Sequence, residues 1–264
     1  PHIIRLSDEE MEKYIELSEK ISKYFNYSTE SFTSKDEILK RLLLARKRII
    51  HKAKNKIEVF KEIIQERFND TGNLNYTLVY VPEGLKPDYI GNEDDFDKTD
   101  SILDDAETDR LINEYTKAIL DVNNHVTVRK FVSGQKDRDE LLKNFAAAKV
   151  QVLTSMKCLD EGVDVPRSEL AIFCSSTGNP RQFIQRRGRV LRKHQDKDFA
   201  ILHDLVVVPE VGSHMNSYRM ERALLKSELS RVKNFADLSE NPSFSEMELR
   251  SALDYYGLNL NNND

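Results

Sequence analysis

The residues with most chemistry in them run from Gln182 to Arg192, as Gln-Phe-Ile-Gln-Arg-Arg-Gly-Arg-Val-Leu-Arg. Four arginines, Arg186, Arg187, Arg189 and Arg192, fall within seven residues, with Gly188 among them. Gln185 precedes Arg189 by four residues and Arg192 by seven, so one helical face presents an amide and two guanidiniums. The planar guanidinium fork takes phosphate oxygens through paired hydrogen bonds, which suits this face to a polyanion. A glycine within such a cluster lets backbone come close to a partner. Alone, an arginine cluster reads more readily as a solvated basic helix; the stretch before it changes that reading.

Val150-Gln151-Val152-Leu153-Thr154-Ser155 is a short apolar strand ending in two hydroxyls. A turn follows that carries Gly162, Asp164 and Pro166. In open α/β sheets, ligands bind outside the carboxyl ends of the strands. Hydroxyls of Thr154 and Ser155 there can donate to a phosphate, and Asp164 can accept from a sugar hydroxyl. Leu170 to Cys174 forms a second apolar strand and leads into the arginine helix. Ser133-Gly134 closes another predicted strand, Val126 to Val132, and offers a hydroxyl and an uncovered N–H. On those two residues alone an ordinary turn is the simpler reading.

These groups need a frame. Ser7 with Glu10 three residues on is a capping-box helix start, continued at helical spacing to about Phe25. Residues 26–33 read as a loop. Ser34 with Glu37 marks a second start, and the apolar series Leu39 to Phe68 runs as one long helix or as two with a break near Lys54-Asn55-Lys56. Asn75 to Val81 reads as a buried strand stopped by Pro82. Residues 83–109 read as an acidic surface insertion. Helices are expected over 108–120, 218–235 and 245–256, a further one through Arg138, Leu141, Leu142 and Phe145, and a last core strand over 199–208. His203 and Asp204 read as strand-end polar groups, since no nucleophile motif accompanies them. The alternation of strand and helix predicts a parallel sheet with right-handed crossovers.

The 264 residues suffice for one large α/β domain or for one with helical additions. No run of about eighteen apolar residues is present, so no membrane span is expected. The two cysteines, Cys158 and Cys174, read as reduced, cytosolic core or near-core residues, neither a bridge nor a metal site. Net charge is −5, but its sign is segregated. Between Glu83 and Asp109, eleven acidic residues face Lys86 and Lys98; between Lys35 and Arg67, eleven basic residues face five acidic ones. Local phosphate binding is therefore compatible with the acidic average. The chain opens on Pro1 with neither an initiator Met nor a signal peptide, and is expected to begin inside a longer polypeptide.

Thr154 to Pro166 resembles motif V of superfamily 2 helicases and translocases, and Gln185 to Arg192 resembles their motif VI. The form Gln-Arg-Arg-Gly-Arg-Val-Leu-Arg is similar to the branch of duplex-DNA translocases of restriction systems and XPB-like helicases. DEAD-box RNA helicases carry a different pattern at Gln185 and Leu191. The resemblance covers roughly residues 55 to 205.

It implies an α/β, RecA-like parallel sheet flanked by helices, with N-terminal and C-terminal helical extensions: a helical linker over 1–70, the RecA-like domain over 71–208 and a C-terminal extension over 209–264. It implies ATP as cofactor, with Mg²⁺ held mainly by a first RecA-like domain of the same polypeptide. No G-x-x-x-x-G-K-[ST] occurs in this sequence, so that half is expected elsewhere. By resemblance Arg189 and Arg192 are arginine fingers, Gln185 contacts the γ-phosphate or the attacking water, and Gly162 and Asp164 meet the ribose. Thr154 and Ser155, with Ser133 and Gly134, would hold the nucleic-acid backbone, DNA more readily than RNA. The alternative is a nucleic-acid-binding or regulatory module that never meets an ATPase half.

Overall fold

The computed structural model describes residues 1–33, 36–82, 105–132, 135–155, 167–174, 188 and 190–258. By compactness the chain divides into two units, one of residues 1–55, 87–101 and 206–264, the other of 56–86 and 102–205.

The second unit is built on a parallel sheet. Its strands are β4 (Thr77–Tyr80), β5 (Val128–Phe131), β6 (Val152–Ser155), β7 (Leu170–Phe173) and β8 (Ile201–Val207). They lie in the order β8-β7-β4-β6-β5, every neighbouring pair parallel. All four residues of β4, β6 and β7 are buried, as strands covered on both faces must be, and their apolar runs reflect it. Parallel neighbours need crossovers, supplied here by α4 (Asp105–Val122) and α5 (Arg138–Ala146), with α3 (Asn55–Thr71) leading into β4. Phe60 of α3 meets Tyr115 of α4 edge-on at 5.0 Å, and Phe145 of α5 meets Tyr76 at 6.1 Å. The parallel α/β expectation holds. The expected acidic insertion is shortened at its end: Asp105 to Asp109 are helical, because acids in a first turn oppose the helix dipole favourably. Residues 83–104 lie outside the described residues.

In the first unit, α1 (Asp8–Ser22) starts with the expected capping box, Ser7 and Glu10 each accepting from the other's N–H. The expected loop over 26–33 holds a small antiparallel pair, β2 (Phe25–Asn26) and β3 (Ser31–Phe32). Phe25 packs edge-on against Phe32 and Tyr27, which gives so short a hairpin its apolar contact. The helix α2 (Glu37–His51) is capped by Asp36, whose carboxylate accepts from Ile38 N–H; the expected cap Ser34 lies outside the described residues. The long apolar series is thus two helices, α2 and α3. Near the chain's other end stand α6 (Tyr218–Ala236) and α7 (Pro242–Tyr256), the latter ended by Gly257 in the left-handed region. Leu225, Leu229 and Val232 of α6 pack with Leu249, Ala252 and Tyr256 of α7 in one core cluster, and Met220 joins Ile21, Phe25 and Leu39 in another. Strand β1 (His2–Ile4) also belongs to the first unit, where Ile4 C=O accepts from Val208 N–H at 3.0 Å.

No helix among the described residues is long and apolar enough to cross a membrane.

Candidate functional site

The strand ends of the second unit are aligned. Register places Phe131, Ser155, Tyr80, Phe173 and Asp204 in one row across β5, β6, β4, β7 and β8. Residues in one row of a parallel sheet point to the same face, so Ser155 and Asp204 flank an aromatic centre. There Tyr80 and Phe173 stack at 4.8 Å with their planes 8° apart. Thr154 belongs to the row below, with Lys130, Val79, Ile172 and His203, and faces the other way. His203 and Asp204 therefore sit within β8, level with the ends of its neighbours, since β8 runs on to Val207.

Thr154 and Ser155 are fully buried, and neither hydroxyl has a hydrogen-bond partner among the described residues. Leaving such a group buried and unpaired costs about 1–3 kcal/mol.

Behind the row lies a buried polar group that the motifs did not indicate. Cys174, directly after β7, is buried and free of any disulfide. Burial pushes its thiol far above the usual range; Lys56 opposes this, and so does the Tyr115 hydroxyl, which donates to the sulfur. Asp204 adds to the upward shift. Lys56 is 1% exposed and Asp204 5%, so two charged side chains sit inside the unit around one thiol. No sequence pattern announced Lys56, which occupies the first turn of an ordinary-looking amphipathic helix.

The arginine segment is described at Gly188 and from Val190 onward. Gly188 is exposed, and a Cβ built there meets nothing within 4 Å. The expected close approach to Gly188 is thus not made by any part of this chain among the described residues. Val190 is fully buried, while Leu191 and Arg192 face outward, so the turn is pinned by one side chain and presents the next two. Beyond it, Lys197 turns back: its Nζ donates to Val190 C=O at 2.7 Å and to Ser168 C=O at 3.1 Å. A lysine shortly after a helix end is a recognisable sequence signal, because it suits the last carbonyls.

Of the positions singled out in the sequence, Thr154 and Ser155 stand side by side on β6 and Arg192 follows the arginine turn. Ser133, Gly134, Gly162, Asp164, Gln185 and Arg189 lie outside the described residues, as does Cys158.

A parallel sheet with helical crossovers places this chain in the α/β class. Within it, residues 97–194 match the family described as "Helicase conserved C-terminal domain". Over this stretch the chain is therefore similar to helicase C-terminal domains. The chain is 35% identical over 96 residues to a "DNA 3'-5' translocase XPB2" of Sulfurisphaera tokodaii, a match covering 36% of this chain and 21% of that protein. It is 26% identical over 150 residues to a "Eukaryotic initiation factor 4A" of Cryptosporidium parvum, covering 51% of this chain and 37% of that one. The matched stretch thus spans well under half the length of either relative. Among solved structures, the Hef helicase domain of Pyrococcus furiosus aligns with 77% of this chain and 36% of its own at 21% identity and a TM-score of 0.37, a level at which the likeness carries no weight here.

Proposed function

We propose that this chain is the second motor domain of an ATP-dependent superfamily 2 helicase or translocase, acting on nucleic acid and on DNA in preference to RNA. The observation that carries the reading is the extent of the family match: residues 97–194 take in every position that the motifs single out. The preference for DNA is supported by the form of the arginine motif and by the printed name of the Sulfurisphaera relative.

In this reading the roles follow from chemistry and position. Bound ATP with Mg²⁺ supplies a phosphoryl group whose charge must be stabilised as it leaves. Arg189 and Arg192 lay guanidinium donors against that charge, and Gln185 orients the γ-phosphate or the attacking water. Gly162 and Asp164 meet the ribose. Mg²⁺ is held by a first RecA-like domain, so this domain alone turns over no ATP. Thr154 and Ser155, with Ser133 and Gly134, hold the nucleic-acid backbone and carry no sequence information. Because Thr154 and Ser155 are buried, a phosphate reaches their hydroxyls only when a neighbouring residue moves aside.

The test is ATP hydrolysis by a polypeptide carrying both motor halves, with duplex DNA, single-stranded DNA and RNA as separate stimulators. Stimulation by duplex DNA above the others is the expected result. Stimulation mainly by RNA overturns the DNA preference, and none by any of the three returns the chain to a non-catalytic binding module.

A further inference from the structure

We infer that Lys197 is a positioning residue for the arginine fingers, holding the backbone at Val190 against the segment that precedes β7. The inference rests on the finger reading of Arg189 and Arg192. Lys197 Nζ donates to Val190 C=O at 2.7 Å and to Ser168 C=O at 3.1 Å, joining backbone seven residues away to backbone twenty-nine residues away. Val190 lies between the two finger positions, one residue after Arg189 and two before Arg192.

Both acceptors are places where a donor is needed. The last carbonyls of a helix have no partner within it, and a cation there meets the negative end of the dipole. Val190 is fully buried, so its carbonyl has few alternatives in water; Ser168 is equally buried. Burial lowers the Lys197 pKa, with the Glu169 charge acting the other way, as expected of an ammonium drawn from solvent to serve these carbonyls.

The far side of the staple is itself anchored. Arg167, one residue before Ser168, lies over the Tyr76 ring at 4.3 Å and reaches Asp196 at 3.9 Å. Glu169, one residue after, accepts from Arg67 at 3.1 Å, and its carbonyl accepts from Ile201 N–H at 2.7 Å. Lys197 itself is held by a tight turn in which its N–H donates to His194 C=O at 3.1 Å. The Val190 side chain is buried, and Lys197 ties the Val190 carbonyl to the segment that precedes β7. A guanidinium stabilises departing charge only when placed to within a fraction of an ångström, and a 1 Å displacement costs on the order of a hundredfold in rate.

The experiment uses the polypeptide with both motor halves and the variants Lys197→Met, Lys197→Arg and Arg192→Ala, with hydrogen exchange of the amides 190–193 as a second readout. Lys197→Met is expected to lower kcat by about ten- to a hundredfold, with KM for ATP and affinity for duplex DNA within about twofold of the parent. Lys197→Arg, which keeps a cation and donors, is expected to recover most of the rate. Exchange at 190–193 should quicken in Lys197→Met while β4 stays protected. An unchanged kcat in Lys197→Met while Arg192→Ala is inactive overturns the inference, as does unchanged exchange at 190–193. An active Arg192→Ala overturns the finger reading instead, and the exchange result then still reports whether Lys197 holds the turn.

Discussion

The Tyr14 hydroxyl donates to the Glu221 carboxylate at 2.8 Å, joining α1 to α6 across 207 residues of sequence. Arg46 of α2 donates to the other oxygen of the same carboxylate, also at 2.8 Å. Burial and the nearby Glu221 charge raise the Tyr14 pKa well above its usual value, so the phenol remains a donor. Three helices from opposite ends of the chain thus meet on one buried carboxylate.

Glu221→Ala leaves the Arg46 guanidinium and the Tyr14 hydroxyl buried without their acceptor. Breaking a buried pair from one side costs about 3–5 kcal/mol. The expected outcome is a denaturant midpoint lowered to match, with Glu221→Gln intermediate, since an amide oxygen still accepts from the phenol. A stability loss of less than about 1 kcal/mol would mean that the pair contributes no more than a surface bridge does.

Glu19 gives the same unit an acid-sensitive contact. Its carboxylate accepts from Ser217 Oγ at 2.7 Å, Ser217 N–H at 2.9 Å and Asn216 Nδ2 at 3.1 Å, at the start of α6. The Ser217 hydroxyl bond is the largest cause of its lowered pKa. A carboxyl with a folded pKa below its unfolded value, about 4.3, contributes stability present above that value and lost as pH falls through the folded one. Melting temperature measured from about pH 6 to pH 3 should therefore fall less steeply in Glu19→Gln than in the parent. Superimposable slopes would remove Glu19 from the acid response.

Cys174 should be inert while the chain is folded. Its thiol is buried and its pKa strongly raised, and the thiolate is the reactive form. In a Cys158→Ser background, a disulfide reagent at pH 8 should label nothing in native buffer and one thiol in denaturant. Rapid labelling of the native chain would show that the region behind β7 opens readily.

Arg192→Ala, in a polypeptide with both motor halves, should lower ATP turnover by about a thousandfold or more, the scale of an arginine finger. Affinity for duplex DNA, measured at fixed salt, should stay within about twofold. Equal ATPase rates in variant and parent would end the finger assignment.

Periodicity, capping residues and turn punctuation made most elements legible. Ser7 with Glu10 announced α1 because a capping box is a local arrangement, complete within four residues. The apolar runs of β4, β6 and β7 announced a parallel sheet because strands buried on both faces have no polar side to alternate with. The arginine cluster and the hydroxyls of β6 were legible as residues able to bind phosphate, because spacing along one helix or strand decides which groups share a face.

Contacts made across long stretches of sequence were not legible. Asp36 took the cap of α2 from within two residues of the expected position, a choice between two competent side chains. The β2–β3 hairpin formed where a loop was expected, because Phe25 and Phe32 meet edge-on only once the chain turns back. Lys56, Cys174 and Asp204 come from a helix, the end of β7 and β8, far apart in sequence, and only the packed sheet brings them together. Lys197 reads as a surface lysine until the fold brings Val190 and Ser168 to its ammonium. Local sequence determined which segments are helix or strand and which residue types could bind phosphate, since those depend on neighbours along the chain. The tertiary structure alone decided which buried groups meet and what holds the arginine turn in place, since those contacts depend on long-range packing.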